Sequence, residues 1–369
     1  MPVDRPDTAI FLGAGASCSE GAPAQAQLFH QFFVEFSRRR EGNLSSNKQI
    51  RLLRANLRRF FRDFFGLDLT RNVNKVNFPT FEEALGIVDL AINRDEAFLD
   101  FEPGRLSRDS DLGRIRRNLV FLIALILDEK LRNSSGHHRN LIYNLLQQRI
   151  LKKCAFVSFN YDVLIDNALE SFDHPDPRVP ATAPDYAIEL NSEFKTTQSP
   201  VISVPLLKLH GSLNWLYCSG CRSLSLTRYH KGALDTLLRP WNAQCARCKL
   251  LQVPIIIPPT YYKVLSNIFI QNVWHKAEQV LANCSTWVFC GYSFPDADMH
   301  VKYLLKRVQM ASKSQLTVKV LNWHENKDTR EAALKHDRYL RFLGKAPSFE
   351  YTKFSFLQFA NNPKSVLGN

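Results

Sequence analysis

Residues 9–17 read AIFLGAGAS, and this stretch decides the architecture. Ala9, Ile10, Phe11 and Leu12 run without the alternation of a half-exposed strand, the pattern of a strand buried on both faces of a parallel sheet. The run breaks into Gly13, Ala14, Gly15, Ala16 and Ser17, small residues suited to a tight strand-to-helix turn. Two readings of the glycines stay open. They let backbone N–H groups approach a pyrophosphate at a helix N-terminus, or they meet a steric demand of the turn alone.

Five further apolar runs of the same kind lie at residues 154–159, 206–209, 254–257, 286–290 and 317–321. Helix-period segments separate them, notably 265–282 and 296–309. That alternation predicts an α/β fold, a doubly wound, Rossmann-like parallel sheet. The first two strands are about 140 residues apart, with helical patterning over 25–40, 48–65, 81–100, 109–132 and 139–151. We therefore expect a discontinuous Rossmann-like domain at 1–24 and 152–369, split by a large helical insertion at 25–151. The Pro-rich stretch 174–184 reads as loop, and the chain has no internal repeat.

Ligands of open doubly wound sheets bind at the carboxyl ends of the strands. The residues after the runs are small and polar: Gly13 to Ser17, then Asn160-Tyr161-Asp162, His210-Gly211-Ser212, Gly291-Tyr292-Ser293 and Asn322. Singly, each is an ordinary cap or satisfied polar residue. Their convergence on one rim is what marks a candidate site.

The eight cysteines divide into two groups. Cys18, Cys154, Cys284 and Cys290 are scattered, mostly in or beside apolar runs where a free thiol packs as a small hydrophobe. Cys218, Cys221, Cys245 and Cys248 form two CxxC knuckles 23 residues apart, the pattern of a four-cysteine zinc ribbon, here a module at 212–253. Disulfides and a redox pair are the alternatives. A reducing compartment disfavours the first, and the doubling of the motif disfavours the second.

At about 150 residues per domain, 369 residues predict two or three folding units. An apolar content of 45% with 22% charged residues excludes a disordered chain. The most apolar stretch, 118–127, is half of the ~20 residues a bilayer requires, and the N-terminal segment lacks a basic leader, so no membrane contact and a cytoplasmic location are expected. Lys and Arg number 48 against 35 Asp and Glu, a net charge of +13. The excess gathers at Arg38, Arg39, Arg40, Arg51, Arg54, Arg58, Arg59, Arg62, Arg105, Arg108, Arg114, Arg116 and Arg117. Solvated helix faces account for it, with Leu53, Leu57, Phe60, Phe61 and Phe64 as the buried stripe; a surface for nucleic acid or an acidic partner is the alternative, without a nucleic-acid motif to accompany it.

Taken together, these motifs resemble the sirtuin superfamily over most of the chain outside the helical insertion. The Gly-Ala-Gly-x-Ser loop matches Gly13 to Ser17, Asn-x-Asp matches Asn160 and Asp162, and His-Gly matches His210 and Gly211. A CxxC…CxxC ribbon comes next, then Gly-x-Ser at Gly291 and Ser293, and an Asn at Asn322, all in the family's order. The resemblance implies NAD binding, with Gly13, Ala14, Gly15, Ser17, Gly291 and Ser293 around the phosphates, Asn322 near the adenine ribose and Asp162 near the nicotinamide amide. Asn160 would position the ribose or a water, and His210 would act as general base. Zinc would be structural.

Departures from the family refine this. The deacylase segment Gly-Ile-Pro-Asp-Phe-Arg is replaced by Gly21, Ala22, Pro23, Ala24, Gln25 and Ala26, and the Phe-Gly-Glu of the acyl-lysine groove by IIIPPTYYK at 255–263. The FNYD, LHGSLNW and GYSFPDAD versions of the motifs look more like prokaryotic sirtuin-like proteins of anti-phage defence. That resemblance implies an NAD hydrolase (NADase) that starves infected cells, a homo-oligomer, and a second defence protein such as a HerA-type ATPase or an Argonaute-like partner through which nucleic acid is contacted. Two other readings remain: an NAD-dependent deacylase or ADP-ribosyl transferase, and a non-catalytic nucleotide-sensing or nucleic-acid-binding module.

Overall fold

The two-sided apolar runs of the sequence assemble into one sheet of seven strands, all parallel, in the order β10-β9-β8-β1-β2-β4-β3. The computed structural model describes residues 5–35, 48–70, 72–101, 111–170, 180–188, 202–227, 244–258, 267–312, 315–321, 330–344, 346 and 348–368. The strands are β1 Thr8–Leu12, β2 Cys154–Ser158, β3 Thr182–Asp185, β4 Ile202–Lys208, β8 Thr286–Cys290, β9 Thr317–Leu321 and β10 Ser348–Thr352. A second, antiparallel sheet holds β6 Leu224–Leu226, β5 Gly211–Tyr217 and β7 Val253–Ile256 in that order.

The register aligns the strand ends. Leu12 pairs with Ser158 on one side and Cys290 on the other, Ser158 pairs with Lys208, and Cys290 with Leu321. Five strands therefore end level, and the residues just beyond them stand in one row. From β1 the chain works outward through β2 to the edge strand β3, steps back in to β4, and then crosses to place β8 on the other flank, so the direction of winding reverses between β1 and β8. That is the crevice where open α/β sheets take their ligands.

The helices that bear on the site are, in chain order, α1 Ala14–Cys18, α2 Lys48–Phe65, α3 Phe81–Arg94, α4 Asp111–Leu131, α5 His137–Gln147, α6 Leu164–Leu169, α7 Ile268–Leu281, α8 Met299–Ala311, α9 Arg330–Leu343 and α10 Phe356–Asn361. The helix α2 buries Ile50, Leu53, Leu57, Phe60 and Phe61 and leaves Arg51, Arg58, Arg59 and Arg62 exposed, the amphipathic division its spacing predicts, except that Phe64 at the end of the expected stripe is only half-buried. Arg54 differs from these: it is half-buried and donates to the Phe33 carbonyl at 2.8 Å. Arg38, Arg39, Arg40, Arg105 and Arg108 lie outside the described residues. In α4 every residue from Leu119 to Leu127 is buried, as expected for a helix that is apolar all round and lies at the centre of a bundle.

Two apolar clusters result. One fills both faces of the parallel sheet and takes in Leu141, Ile142 and Leu145 of α5. The other is built by α2, α3, α4 and the irregular helical run 25–35, and it includes Tyr161, Leu213 and Ile256 from the loops and small sheet beyond the strand ends. The helices thus rest against the carboxyl rim. Arg116 on α4 fastens them there, pairing with Asp89 at 2.6 Å and donating to the Ile256 carbonyl at 3.0 Å.

Three expectations are corrected. The apolar run at 254–257 does not join the parallel sheet but forms β7, antiparallel to β5. Pro254 lacks an N–H, and β7 is an edge strand, where proline is tolerated. The Pro-rich stretch, expected as loop, ends in β3, which begins at Thr182, and β10 has no counterpart in the six runs. Both are the outer strands of the sheet, and an edge strand lacks the two-sided apolar burial by which the inner strands announce themselves.

Glycines lock the crevice. Gly13 donates to the Cys290 carbonyl at 2.9 Å and Gly15 to the Gly291 carbonyl at 2.8 Å, which draws the β1–α1 turn onto the end of β8. Gly291 has φ +62°, and a Cβ there would sit 2.4 Å from the Ala16 nitrogen. A left-handed conformation costs a side chain about 1–2 kcal/mol and an overpacked contact about 1–3 kcal/mol. Gly291→Ala is therefore expected to lower unfolding stability by at least ~2 kcal/mol in urea titration; a loss under ~0.5 kcal/mol would contradict the close approach.

Candidate functional site

The row of strand ends carries the polar residues singled out from the sequence. After β1, Gly13 precedes α1; after β2 come Asn160 and Asp162; after β4 comes His210. Asn160, Asp162 and His210 are all buried, unusual for loop residues of these types. Their burial demands partners, and they have them. Asn160 Nδ2 donates to the Gly13 carbonyl and to Ser17 Oγ, both at 2.9 Å. Ser17 Oγ donates to Asp162 Oδ2 at 2.7 Å, and the Leu164 N–H donates to Asp162 Oδ1 at 3.1 Å. With both amide hydrogens of Asn160 engaged, its carbonyl oxygen is the atom left to face a ligand.

A cavity of about 50 Å³ opens here, lined by Ala14, Ser17, Asn160 and Asp162 and closed over by Gln25, Leu28 and Leu127 among others. A wider cleft of about 580 Å³ shares Asp162 and Leu127 with it and extends along Glu20, His138 and Asn167. Glu20 ties the turn after α1 to α5: it accepts from the N–H groups of Gly136 at 2.8 Å and His138 at 2.7 Å and pairs with His138 Nδ1 at 2.5 Å. Burial alone would raise its carboxyl, but the hydrogen bonds and charge of His138 together with the Gly136 N–H hold it down at about 2.

His210 stands at the end of β4, on the far side of Phe159, with ring centroids 5.6 Å apart. Its Nε2 is 3.3 Å from Asp298 Oδ2, a carboxylate wholly buried just before α8. Asp298 also accepts from the Tyr292 hydroxyl at 2.6 Å, and Tyr292 stacks on Phe159 with centroids 4.0 Å apart. Beneath the row, Lys208 is buried in β4 and donates to the Asp162 carbonyl at 2.5 Å and to Asp166 Oδ2 at 2.8 Å. Tyr186 and Asn214 complete the set around Asp166.

Not every expected residue joins this cluster. Gly291 lies in the crevice but acts through its backbone, Ser293 is exposed, and Asn322 lies outside the described residues. The N–H groups of Gly13 and Gly15 are spent on β8, which favours the steric reading of these two glycines over direct phosphate contact through their own amides. Sequence reasoning gives no role to Asp298, Tyr292 or Lys208. Asp298 closes the GYSFPDAD motif and Lys208 interrupts an apolar run, so a charged residue inside a buried strand is the signal available.

The four cysteines meet as expected. Their Sγ atoms all lie within 4.8 Å of one another, with Cys218 and Cys248 at 3.3 Å and Cys221 and Cys245 at 3.4 Å. Zn–S bonds of about 2.3 Å put tetrahedral sulfurs about 3.8 Å apart, so the group fits the ion. The N–H of Cys248, with the Ser223 hydroxyl and the Arg247 N–H, pulls the Cys245 thiol down to about 6 despite burial, favouring the thiolate that a metal needs.

Comparison with known proteins is consistent with this geometry. The SIR2-like domain family matches residues 155–343, just over half of the chain. No curated protein matches the sequence. Sixty-eight solved chains are similar, among them one described as "Structural Basis for the Mechanism and Regulation of Sir2 Enzymes", 12% identical, covering 99% of this chain and 95% of that chain with a TM-score of 0.42.

Metal analysis is expected to find about one zinc per chain, with Cys245→Ser or strong chelation removing it and lowering the melting temperature; a folded, metal-free protein would contradict the site. Because the Glu20 carboxyl is depressed from 4.5 to about 2, its contribution is present above pH 4.5 and lost as pH falls toward 2. Acid titration of stability should therefore be shallower in Glu20→Gln over that window, and an unchanged slope would argue against the Glu20–His138 pairing.

Proposed function

We propose, from the premise that this chain belongs to the SIR2-like domain family, that it is an NAD hydrolase releasing nicotinamide and ADP-ribose. The family supports a sirtuin-type, NAD-dependent function. The level row of strand ends, with Asn160, Asp162 and His210 beside the β1–β8 crevice, supports NAD cleavage; what favours a hydrolase over a deacylase is the replacement of the acyl-peptide segments by Gly21 to Ala26 and by residues 255–263. Family membership also favours the assignment of the crevice to NAD, with Asp162 at the nicotinamide amide, Ala14, Ser17 and Ser293 toward the phosphates, and Asn322 toward the adenine ribose.

The chemistry asked of these residues is modest in number of steps. The bond between ribose C1 and the nicotinamide nitrogen breaks, and its electron pair leaves with the ring, cancelling the pyridinium charge. Positive charge develops at C1 and the ring oxygen. The Asn160 carbonyl, held by its own amide hydrogens, is the preorganised dipole for that charge. Water adds to C1 and gives its proton to His210, an imidazole placed to act as general base. The rim cavity of about 50 Å³ holds a few waters, so entry of a dinucleotide requires movement of the residues 22–28 that line it.

The further proposals rest on motif resemblance: action in the cytoplasm as an anti-phage effector, a homo-oligomer, and a HerA-type ATPase as partner. The helical segment 25–151 would serve assembly, with the catalytic domain at 1–24 and 152–369 and the ribbon at 212–253. His210→Ala and Asn160→Ala are each expected to remove most nicotinamide release, on the order of 10²-fold or more, with the double variant scarcely worse than either. Near wild-type turnover in both single variants, with the parent active under the same conditions, would sink the assignment.

A further inference from the structure

Asp298 sits at the N-cap of α8, a position where aspartate ordinarily accepts from the first helical N–H groups. Its side chain makes no such bond. The carboxylate turns inward instead, fully buried, to the Tyr292 hydroxyl at 2.6 Å and to His210 Nε2 at 3.3 Å. A buried carboxylate is costly unless paired, so its diversion from a surface cap needs a purpose. Its place is held from two sides: Tyr292 is stacked on Phe159, and the Tyr339 hydroxyl donates to the Tyr292 carbonyl at 2.7 Å.

We propose that Asp298 is the positioning residue for His210, holding the imidazole through Nε2–H so that Nδ1 is the atom that accepts the proton, and stabilising the imidazolium that results. This rests on the NAD-hydrolase reading for its kinetic consequence, but not for the pairing itself. A carboxylate beside an imidazole favours its charged form, so it raises the pH at which His210 titrates and with it the acid limb of activity. Tyr292 tempers the effect, because its hydroxyl shares the same oxygen, Oδ2. The other groups on this side are Tyr161 from the loop after β2, Glu82 and Asp89 on α3, and Arg116 on α4, which act on Tyr161 together with Asp298. Asp162 and Lys208 lie behind the same loop.

Two variants pull in opposite directions. Asp298→Asn removes the charge and keeps the shape. Tyr292→Phe keeps the stack on Phe159 and returns the full carboxylate to His210. Titration of the His210 ring followed by NMR is expected to move about one pH unit lower in Asp298→Asn and to move higher in Tyr292→Phe. In nicotinamide release, Asp298→Asn should lower kcat by about 10²-fold with little change in KM for NAD, and shift the acid limb of the pH profile to lower pH. An unchanged His210 titration in both variants overturns the proposal, as does a loss of activity with no movement of the acid limb. If Asp298→Asn fails to fold, the upward shift in Tyr292→Phe decides alone. Absence of NAD turnover by the parent protein with its activating partner present would sink the hydrolase reading, while the ring titration would still decide the pairing.

Discussion

The structure depends on the contact between two stretches of backbone that no side chain separates. The turn after β1 and the end of β8 approach so closely that a Cβ on Gly13 would lie 2.5 Å from the Tyr292 Cα, and one on Gly15 2.8 Å from the Gly291 Cα. Glycine at all three positions is the condition for β1 to hold β8 on one flank while pairing with β2 on the other. That contact sets the reversal of winding, and the reversal opens the crevice. It also levels the strand ends, so residues from segments far apart in the chain meet at one height.

Meeting at one height is not sufficient for chemistry, because polar side chains at a buried rim lose their orientation unless their partners are also buried. Here the support comes from beneath and from beside. Lys208 in the interior of β4 is a charged group in a place that favours apolar residues, and its pairing with Asp166 gains little net stability over a well-packed hydrophobic pair. What it does supply is a fixed donor to the Asp162 carbonyl, which holds the loop carrying Asn160. On the other side of Phe159, the Tyr292–Asp298 pair does the same for His210.

Much of this is legible in the sequence, and the parts that are not share a physical cause. The inner strands β1, β2 and β8 are read from apolar runs because burial on both faces removes the need for alternation, whereas β9 keeps an alternation in which Thr317 and Lys319 are half-buried. The level row of Asn160 and His210 is found by reading what comes after those runs. The edge strands β3 and β10 escape, since one unpaired edge relaxes the demand for apolar residues. The run at 254–257 is apolar for a different reason: it pairs with β5 outside the parallel sheet, with Ile256 packed into the helical cluster and Ile255 into the cluster of the sheet. The roles of Lys208 and Asp298 depend on which buried groups they meet, and a contact across 46 residues or 88 residues of chain leaves no local pattern. The four cysteines are the opposite case, because spacing alone brings the ligands of each knuckle together.

Whether water is the acceptor of the ribosyl group decides the function. Incubation of the protein, with any activating partner, in ¹⁸O-labelled water with NAD and no acyl-peptide tests this by mass spectrometry. Hydrolysis predicts nicotinamide and free ADP-ribose in equal amounts, with one ¹⁸O carried by the ADP-ribose. Intact NAD under conditions where an acyl-peptide restores turnover, or ADP-ribose found only on protein, would contradict it.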